Sequence, residues 1–286
     1  MSAFKAACIQ MRSTTSVAEN GAAAEALIRE AASKGASYVL TPEMTNILVR
    51  DRQALLDAIA VEEADPTLAL FHKLAAELKI WIHAGSLAIL VEGETVANRG
   101  FLIGPDGGVR ARYDKIHMFD VDLPNGESWR ESRTYRPGET AVVTELPWLK
   151  LGMAICYDVR FPQIFRTQAL AGAQLLTAPA AFTRQTGEAH WHVLQRARAI
   201  ENGAFQMAAA QGGHHADGRD TYGHSLIVDP WGKVIAEADH DEPCVVLAEI
   251  DPAASDAARG RIPVLLNERA FELGDGADVV LSGAAE

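Results

Sequence analysis

Leu151-Gly-Met-Ala-Ile-Cys-Tyr-Asp-Val-Arg-Phe-Pro162 runs apolar like a strand, stops at a thiol, turns polar, and reaches a proline where a helical pattern starts. A short apolar run passing at once into a helix is the unit from which mixed α/β folds are built. Cys156 at the junction has a fixed backbone, and its sulfur can face a cleft. A helix N-terminus nearby favours the thiolate, the reactive form. A structural cysteine packed as a small hydrophobe would leave the same local trace.

The alternation continues on both sides. Strands are predicted at 3–10, 38–41, 80–90, 96–103, 109–113, 151–155, 175–178, 205–210, 225–228, 234–236 and 245–250, and helices at 19–33, 66–78, 162–171 and 190–202. Asp65-Pro66 is a good helix opening, aspartate as cap and proline in the first turn. Gly104-Pro-Asp-Gly-Gly108 and Asp229-Pro-Trp-Gly232 read as hairpin turns. Residues 118–138 are long, polar and rich in turn formers, and a loop of that length inside a compact domain is usually functional. The tail from Asp251 is less regular. No linker, repeat or low-complexity stretch divides the chain. The expectation is a single mixed α/β domain over 1–270, then a C-terminal tail, 271–286, loose or at an interface.

The 286 residues suffice for a full core, and 48 % apolar with 22 % charged residues is ordinary for a soluble globular protein. Twenty-six basic against 38 acidic residues leave a net charge of −12, with no basic stripe, which argues against nucleic acid. Cys8, Cys156 and Cys244 are few, odd in number and far apart, unlike a disulfide framework. No signal-peptide pattern and no membrane-length apolar run occur, so the expected home is a reducing cytoplasm.

Two further residues could serve chemistry. Glu43 follows a short apolar strand in Val39-Leu-Thr-Pro-Glu-Met44, and Lys115 lies in Arg112-Tyr-Asp-Lys-Ile-His117. Each alone reads as surface decoration. Together, a thiol, a carboxylate and an ammonium suit acyl transfer. The carboxylate takes the thiol proton and returns it to a leaving amine, and the ammonium stabilises the thiolate and a tetrahedral oxyanion.

Nine segments in order carry a resemblance: Pro42-Glu43, Tyr113-Asp-Lys-Ile-His117, Glu131-Ser-Arg-Thr-Tyr-Arg-Pro-Gly138, Ile155-Cys-Tyr-Asp-Val-Arg-Phe-Pro162, Ala178-Pro-Ala-Ala-Phe182, Thr186-Gly-Glu-Ala-His-Trp191, Arg196-Ala-Arg-Ala-Ile-Glu-Asn202, Tyr222-Gly-His-Ser225 and Asp229-Pro-Trp-Gly232. With these the chain resembles the nitrilase, or carbon–nitrogen hydrolase, superfamily. The resemblance implies a four-layer α-β-β-α sandwich that dimerises, and a Glu–Lys–Cys triad at Glu43, Lys115 and Cys156. It implies a second glutamate at Glu131 that positions substrate and lysine, and oxyanion contacts from Lys115 and the Tyr157 N–H. The loop 211–225 is more similar to the deaminated glutathione amidases of the Nit branch than to its ω-amidases. The implied reaction is hydrolysis of a small carboxylate-bearing amide to acid and ammonia through a thioester, with no cofactor. The alternatives are an ω-amidase acting on α-ketoglutaramate-like substrates, an N-carbamoyl amino acid hydrolase, or a catalytically silent scaffold. The tail after Asn267 departs from the branch pattern.

Candidate substrate contacts are Arg160, Phe182, His190, His214, His215 and Arg219. Arg160, four residues past the thiol, is either a structural arginine or a fork for a substrate carboxylate. His190 and His192 at i and i+2 on a helix face different ways, so capping or packing suits them better than a metal. His214-His215 lacks further ligands at zinc spacing. No metal is expected.

Overall fold

A computed structural model describes residues 2–124 and 126–272. The chain runs β1 (Phe4–Gln10), α1 (Val17–Ser33), β2 (Tyr38–Leu40), α2 (Arg52–Ala58), α3 (Pro66–Leu78), β3 (Trp81–Glu92), β4 (Thr95–Ile103), β5 (Val109–Asp114), β6 (Asp120–Asp122), β7 (Ser128–Arg130), β8 (Val142–Glu145) and β9 (Lys150–Met153). It continues through α4 (Pro162–Leu170), β10 (Ala173–Thr177), α5 (Arg184–Asn202), β11 (Phe205–Ala208), β12 (Gly212–His214), β13 (Asp220–Tyr222), β14 (Leu226–Val228), β15 (Val234–Glu237), β16 (Cys244–Ile250) and α6 (Pro252–Arg261).

Two six-stranded sheets form, ordered β16-β1-β2-β3-β4-β5 and β15-β14-β11-β10-β9-β8. Each is parallel at its centre, β1-β2-β3 in one and β9-β10-β11 in the other, with antiparallel strands outside. Strand β1 shows why the layers stack. Ala6 and Cys8 join the core between the sheets, with Leu151, Leu175 and Met207 of the other sheet. Ala7 and Ile9 point the opposite way, into a second core with Ala24 and Ile28 of α1 and Phe71 and Leu74 of α3. A strand covered on both faces reads as a mainly apolar run, as 6–9 does in Ala-Ala-Cys-Ile. Phe165 of α4 and Trp191 of α5 cover the second sheet. The result is the expected four-layer α-β-β-α sandwich.

Several boundaries differ from those predicted. Helix α5 begins at Arg184, not at 190, and runs through Gly187. A Cβ there would lie 2.3 Å from Tyr222, so the glycine serves close packing. Short helix α2, capped by Asp51 through the Ala54 N–H, escaped the sequence reading. So did α6, where Asp251 caps and Pro252 opens the helix, the same signal that reads clearly at Asp65-Pro66. The loop 118–138 holds the hairpin β6–β7. Of the proposed tail, Phe271 and Glu272 carry no helix or strand, and 273–286 lie outside the described residues.

His83 on β3 is buried, and the Tyr38 hydroxyl lies 2.7 Å from its Nδ1. Burial pushes its pKa from 6.5 down to about 3. The folded protein therefore keeps His83 neutral where the unfolded chain takes up a proton. This contribution is complete above pH 6.5 and is lost as pH falls from there towards 3. His83→Gln, whose amide can still pair with Tyr38, is expected to flatten stability against pH between about 6 and 4 by up to ~1.4 kcal/mol per unit. Urea midpoints at a series of pH values measure it, and identical slopes for the two proteins would refute it.

Candidate active site

Strands β2, β5 and β9 end near one another, and the residues just beyond them meet. Past β2 the chain bends sharply. Gly85 permits the bend, since a Cβ there would sit 1.9 Å from the Thr41 carbonyl oxygen. Met44 takes φ +55° with its N–H on Ser86 Oγ at 3.0 Å, and Gln211 Nε2 donates to the Glu43 carbonyl at 3.0 Å. Glu43 is thereby fixed and turned inward. Lys115 follows β5, its N–H on the Asn98 carbonyl at 2.9 Å.

Cys156 opens a short 3-10 turn, Cys156–Arg160, with φ +48°. A non-glycine residue rarely holds that conformation, and it persists only where its surroundings over-determine it. Here the Cys156 N–H donates to the Pro179 carbonyl at 2.9 Å. Asp158, fully buried, accepts from the Ile155 N–H at 2.8 Å, the Tyr113 hydroxyl at 2.6 Å and the His117 N–H at 3.0 Å, and lies 2.7 Å from His117 Nδ1. One carboxylate thus ties the Cys156 turn to the segment two residues past Lys115.

Lys115 Nζ donates to Glu43 Oε1 at 2.8 Å and to Glu131 Oε2 at 2.8 Å. Asn98 Nδ2 bridges the same carboxylates at 2.9 and 3.2 Å. The Ala181 N–H holds the other Glu43 oxygen at 2.8 Å, and the Phe119 N–H holds Glu131 Oε2 at 2.7 Å. Burial would raise the Glu43 carboxyl and depress the Lys115 ammonium. The opposite charges override this, so Glu43 lies below its ordinary value and Lys115 well above its own. Burial, and then the Glu43 charge, push the Cys156 thiol well up, against the pull of Lys115. The resting pair is therefore a neutral thiol beside a carboxylate. The helix start expected to favour the thiolate does not prevail, because α4 starts only at Pro162 and burial of the sulfur, followed by the Glu43 charge, outweighs it.

The cluster forms the floor of a cavity of about 510 Å³, within the range of small-molecule sites. Tyr157, whose N–H meets no acceptor among the described residues, also lines it. Glu43, Lys115, Glu131, Cys156 and Tyr157 all line this one cavity.

A profile of the carbon-nitrogen hydrolase family matches residues 5–259. The chain belongs to the carbon-nitrogen hydrolase family. This hydrolase is 39 % identical over 93 % of its length to a deaminated glutathione amidase of Synechocystis sp., covering 98 % of that protein. It is 34 % identical to the omega-amidase NIT2 of Mus musculus, over 94 % of this chain and 96 % of that one. The crystal structure of the C. elegans NitFhit protein superposes with a TM-score of 0.87 at 35 % identity, over 93 % of this chain and 65 % of that chain.

The expected substrate contacts divide. Phe182 and Arg219 line the cavity of the hydrolase; Arg160, His190, His214 and His215 do not. Arg160 stands behind the wall, 3.2 Å from His190 Nδ1 and 5.1 Å from the Phe182 ring. His190 is exposed and six residues inside α5, so it caps nothing. His214 pairs with Asp220 at 3.0 Å on the surface. Both ring nitrogens of buried His215 are engaged, by the Ser13 carbonyl at 2.9 Å and Thr221 Oγ1 at 2.6 Å, which leaves none for a substrate. Among the described residues no three His, Cys, Asp or Glu side chains gather as metal ligands. Sequence reasoning missed Asn98, Asp158 and the arginines Arg50 and Arg133 in the cavity wall. Asn98 had a signal, an amide in the middle of the apolar run of β4.

Proposed function

We propose that the chain hydrolyses the C–N bond of a small carboxylate-bearing amide, with Cys156 as nucleophile, Glu43 as base and acid, and Lys115 with the Tyr157 N–H as oxyanion donors. The single observation that carries this is the buried contact set in which one ammonium reaches both Glu43 and Glu131 at 2.8 Å at the floor of the cavity that Cys156 also lines. Burying three charges costs stability unless function retains them, which disfavours a silent scaffold.

The Cys156 proton passes to Glu43 as the sulfur attacks the amide carbon. Lys115 and Tyr157 face the oxygen as its charge develops. Glu43 returns the proton to the nitrogen, the C–N bond breaks, and the amine leaves, as ammonia when the amide is primary. Glu43 then deprotonates a water that attacks the thioester, and the proton goes back to the departing sulfur. Glu131 positions Lys115. Proton transfer between Cys156 and Glu43 leaves the charge of the pair unchanged, so the buried site never holds more net charge than at rest.

Relatives named deaminated glutathione amidase and omega-amidase both support an acidic amide, and the higher identity favours the first. A homodimer in the cytoplasm fits two facts. Val193 and Ile200 stand exposed on α5, Ile200 against Gly232 beside exposed Trp231, apolar surface suited to a second copy, and all three cysteines are free. No helix of the described residues is long and apolar enough to cross a membrane.

A panel of amides with detection of the released acid and amine tests the reading. Deaminated glutathione and α-ketoglutaramate are expected to turn over far faster than simple nitriles or N-carbamoyl amino acids, with rates unaffected by chelators. Preference for an N-carbamoyl amino acid, or loss of activity with a chelated stoichiometric metal, would overturn it.

A further inference from the structure

The floor of the cavity carries two carboxylates, Glu43 and Glu131, against one ammonium, Lys115. A substrate carboxylate is repelled there, whereas the neutral amide is not. The wall has the opposite sign. Arg50, Arg52, Arg130, Arg133 and Arg219 line it, with Asp220 as its one carboxylate among the described residues. Three of the five arginines are committed: Arg52 to Glu94 at 2.9 Å, Arg130 to Asp122 at 2.9 Å and Arg219 to Asp217 at 2.6 Å. Arg50 and Arg133 have no carboxylate within reach among the described residues, and both are exposed to the cavity mouth. Arg50 lies 4.3 Å from the Trp129 ring centroid and Arg219 4.9 Å from the same ring. An aromatic face holds a guanidinium in place and leaves its N–H fork free for a carboxylate. A protein with net charge −12 that turns unpaired arginines onto its cavity concentrates positive potential there.

We propose that Arg50 and Arg133, with Trp129 as platform, form a distal anion subsite that takes a carboxylate remote from the scissile amide. The inference rests on the amidase reading and narrows it. Deaminated glutathione carries such a remote carboxylate, and the subsite names the two arginines that would hold it while the neutral amide faces the negative floor. Arg160, outside the cavity lining, takes no part in reading that carboxylate.

The test compares a keto-acid amide of a short peptide with a free C-terminal carboxylate against the same compound with that carboxylate capped as a carboxamide. Wild type is expected to favour the acid at least tenfold in kcat/KM, through KM. Arg50→Gln with Arg133→Gln is expected to remove most of that ratio by raising KM for the acid, and Arg160→Gln to retain it. Calorimetry of both compounds on Cys156→Ala protein reads the subsite without turnover, and the acid is expected to bind at least tenfold tighter. Equal affinity for acid and capped compound, an unchanged ratio in the double variant, or loss of the ratio in Arg160→Gln would each overturn the subsite. Tighter binding of the acid by Cys156→Ala, with no hydrolysis of either compound by wild type, would leave the subsite standing and refute the amidase reading.

Discussion

Cys156→Ala is expected to abolish amide hydrolysis, a loss on the order of 10⁵-fold or more, while the protein stays folded. The thiol is the only atom group removed. Because it is neutral at rest, its loss leaves no unpaired charge beside Glu43. The methyl group that remains keeps the packing of a buried site. The backbone offers a second readout. At φ +48° alanine carries the left-handed strain and glycine does not. Cys156→Gly is therefore expected to match or exceed Cys156→Ala in melting temperature, the reverse of their order inside a helix or strand. Wild type incubated with a slow substrate should show an acyl mass adduct on the peptide containing Cys156, and neither variant should. Turnover by Cys156→Ala, or an adduct on Cys8 or Cys244, would refute the nucleophile assignment.

Much of this was legible in the sequence, for identifiable reasons. Strands buried on both faces are mainly apolar, so β1, β3 and β4 read clearly, and Asp65-Pro66 marks α3 to the residue. Glu43, Lys115 and Cys156 each follow a strand, and strand ends are where a sheet delivers side chains to a shared crevice. Less was legible where long-range packing overrules local signals. Gly187 sits inside α5 with Tyr222 packed against it, a contact that no local signal announces. Nothing local marks Asp158 as the acceptor for Tyr113 and His117, which arrive from β5 and its sequel. Histidines in a turn-rich loop suggest substrate contacts, but His215 is spent on Ser13 and Thr221. The sign of the cavity wall was invisible for a related reason. Arg50 and Arg52, Arg130 and Arg133, and Arg219 lie in three segments far apart in the chain, and only the fold brings them to one wall.

Glu43→Gln and Lys115→Met are each expected to cost most of the rate, about 10²–10⁴-fold for the base and about 10²–10³-fold for the oxyanion donor. The double variant should be little slower than the worse single one, because the two residues act on one proton and one developing charge. Stability should follow a different order, set by buried charge. With both residues present the cluster holds two carboxylates and one ammonium. Lys115→Met leaves Glu43 and Glu131 facing each other with only Asn98 between them, and an uncompensated buried charge commonly costs about 3–5 kcal/mol. Glu43→Gln keeps the Lys115–Glu131 pair and costs less, chiefly because the amide NH₂ must face either the Ala181 N–H or the Lys115 and Asn98 donors. In the double variant a single carboxylate remains, so part of the Lys115→Met loss should return, with a coupling of roughly 1–3 kcal/mol. Denaturant midpoints and kcat measured on the same four proteins separate the two effects. A double variant that is the least stable of the four, or rate losses that multiply, would show that Glu43 and Lys115 do not form one unit.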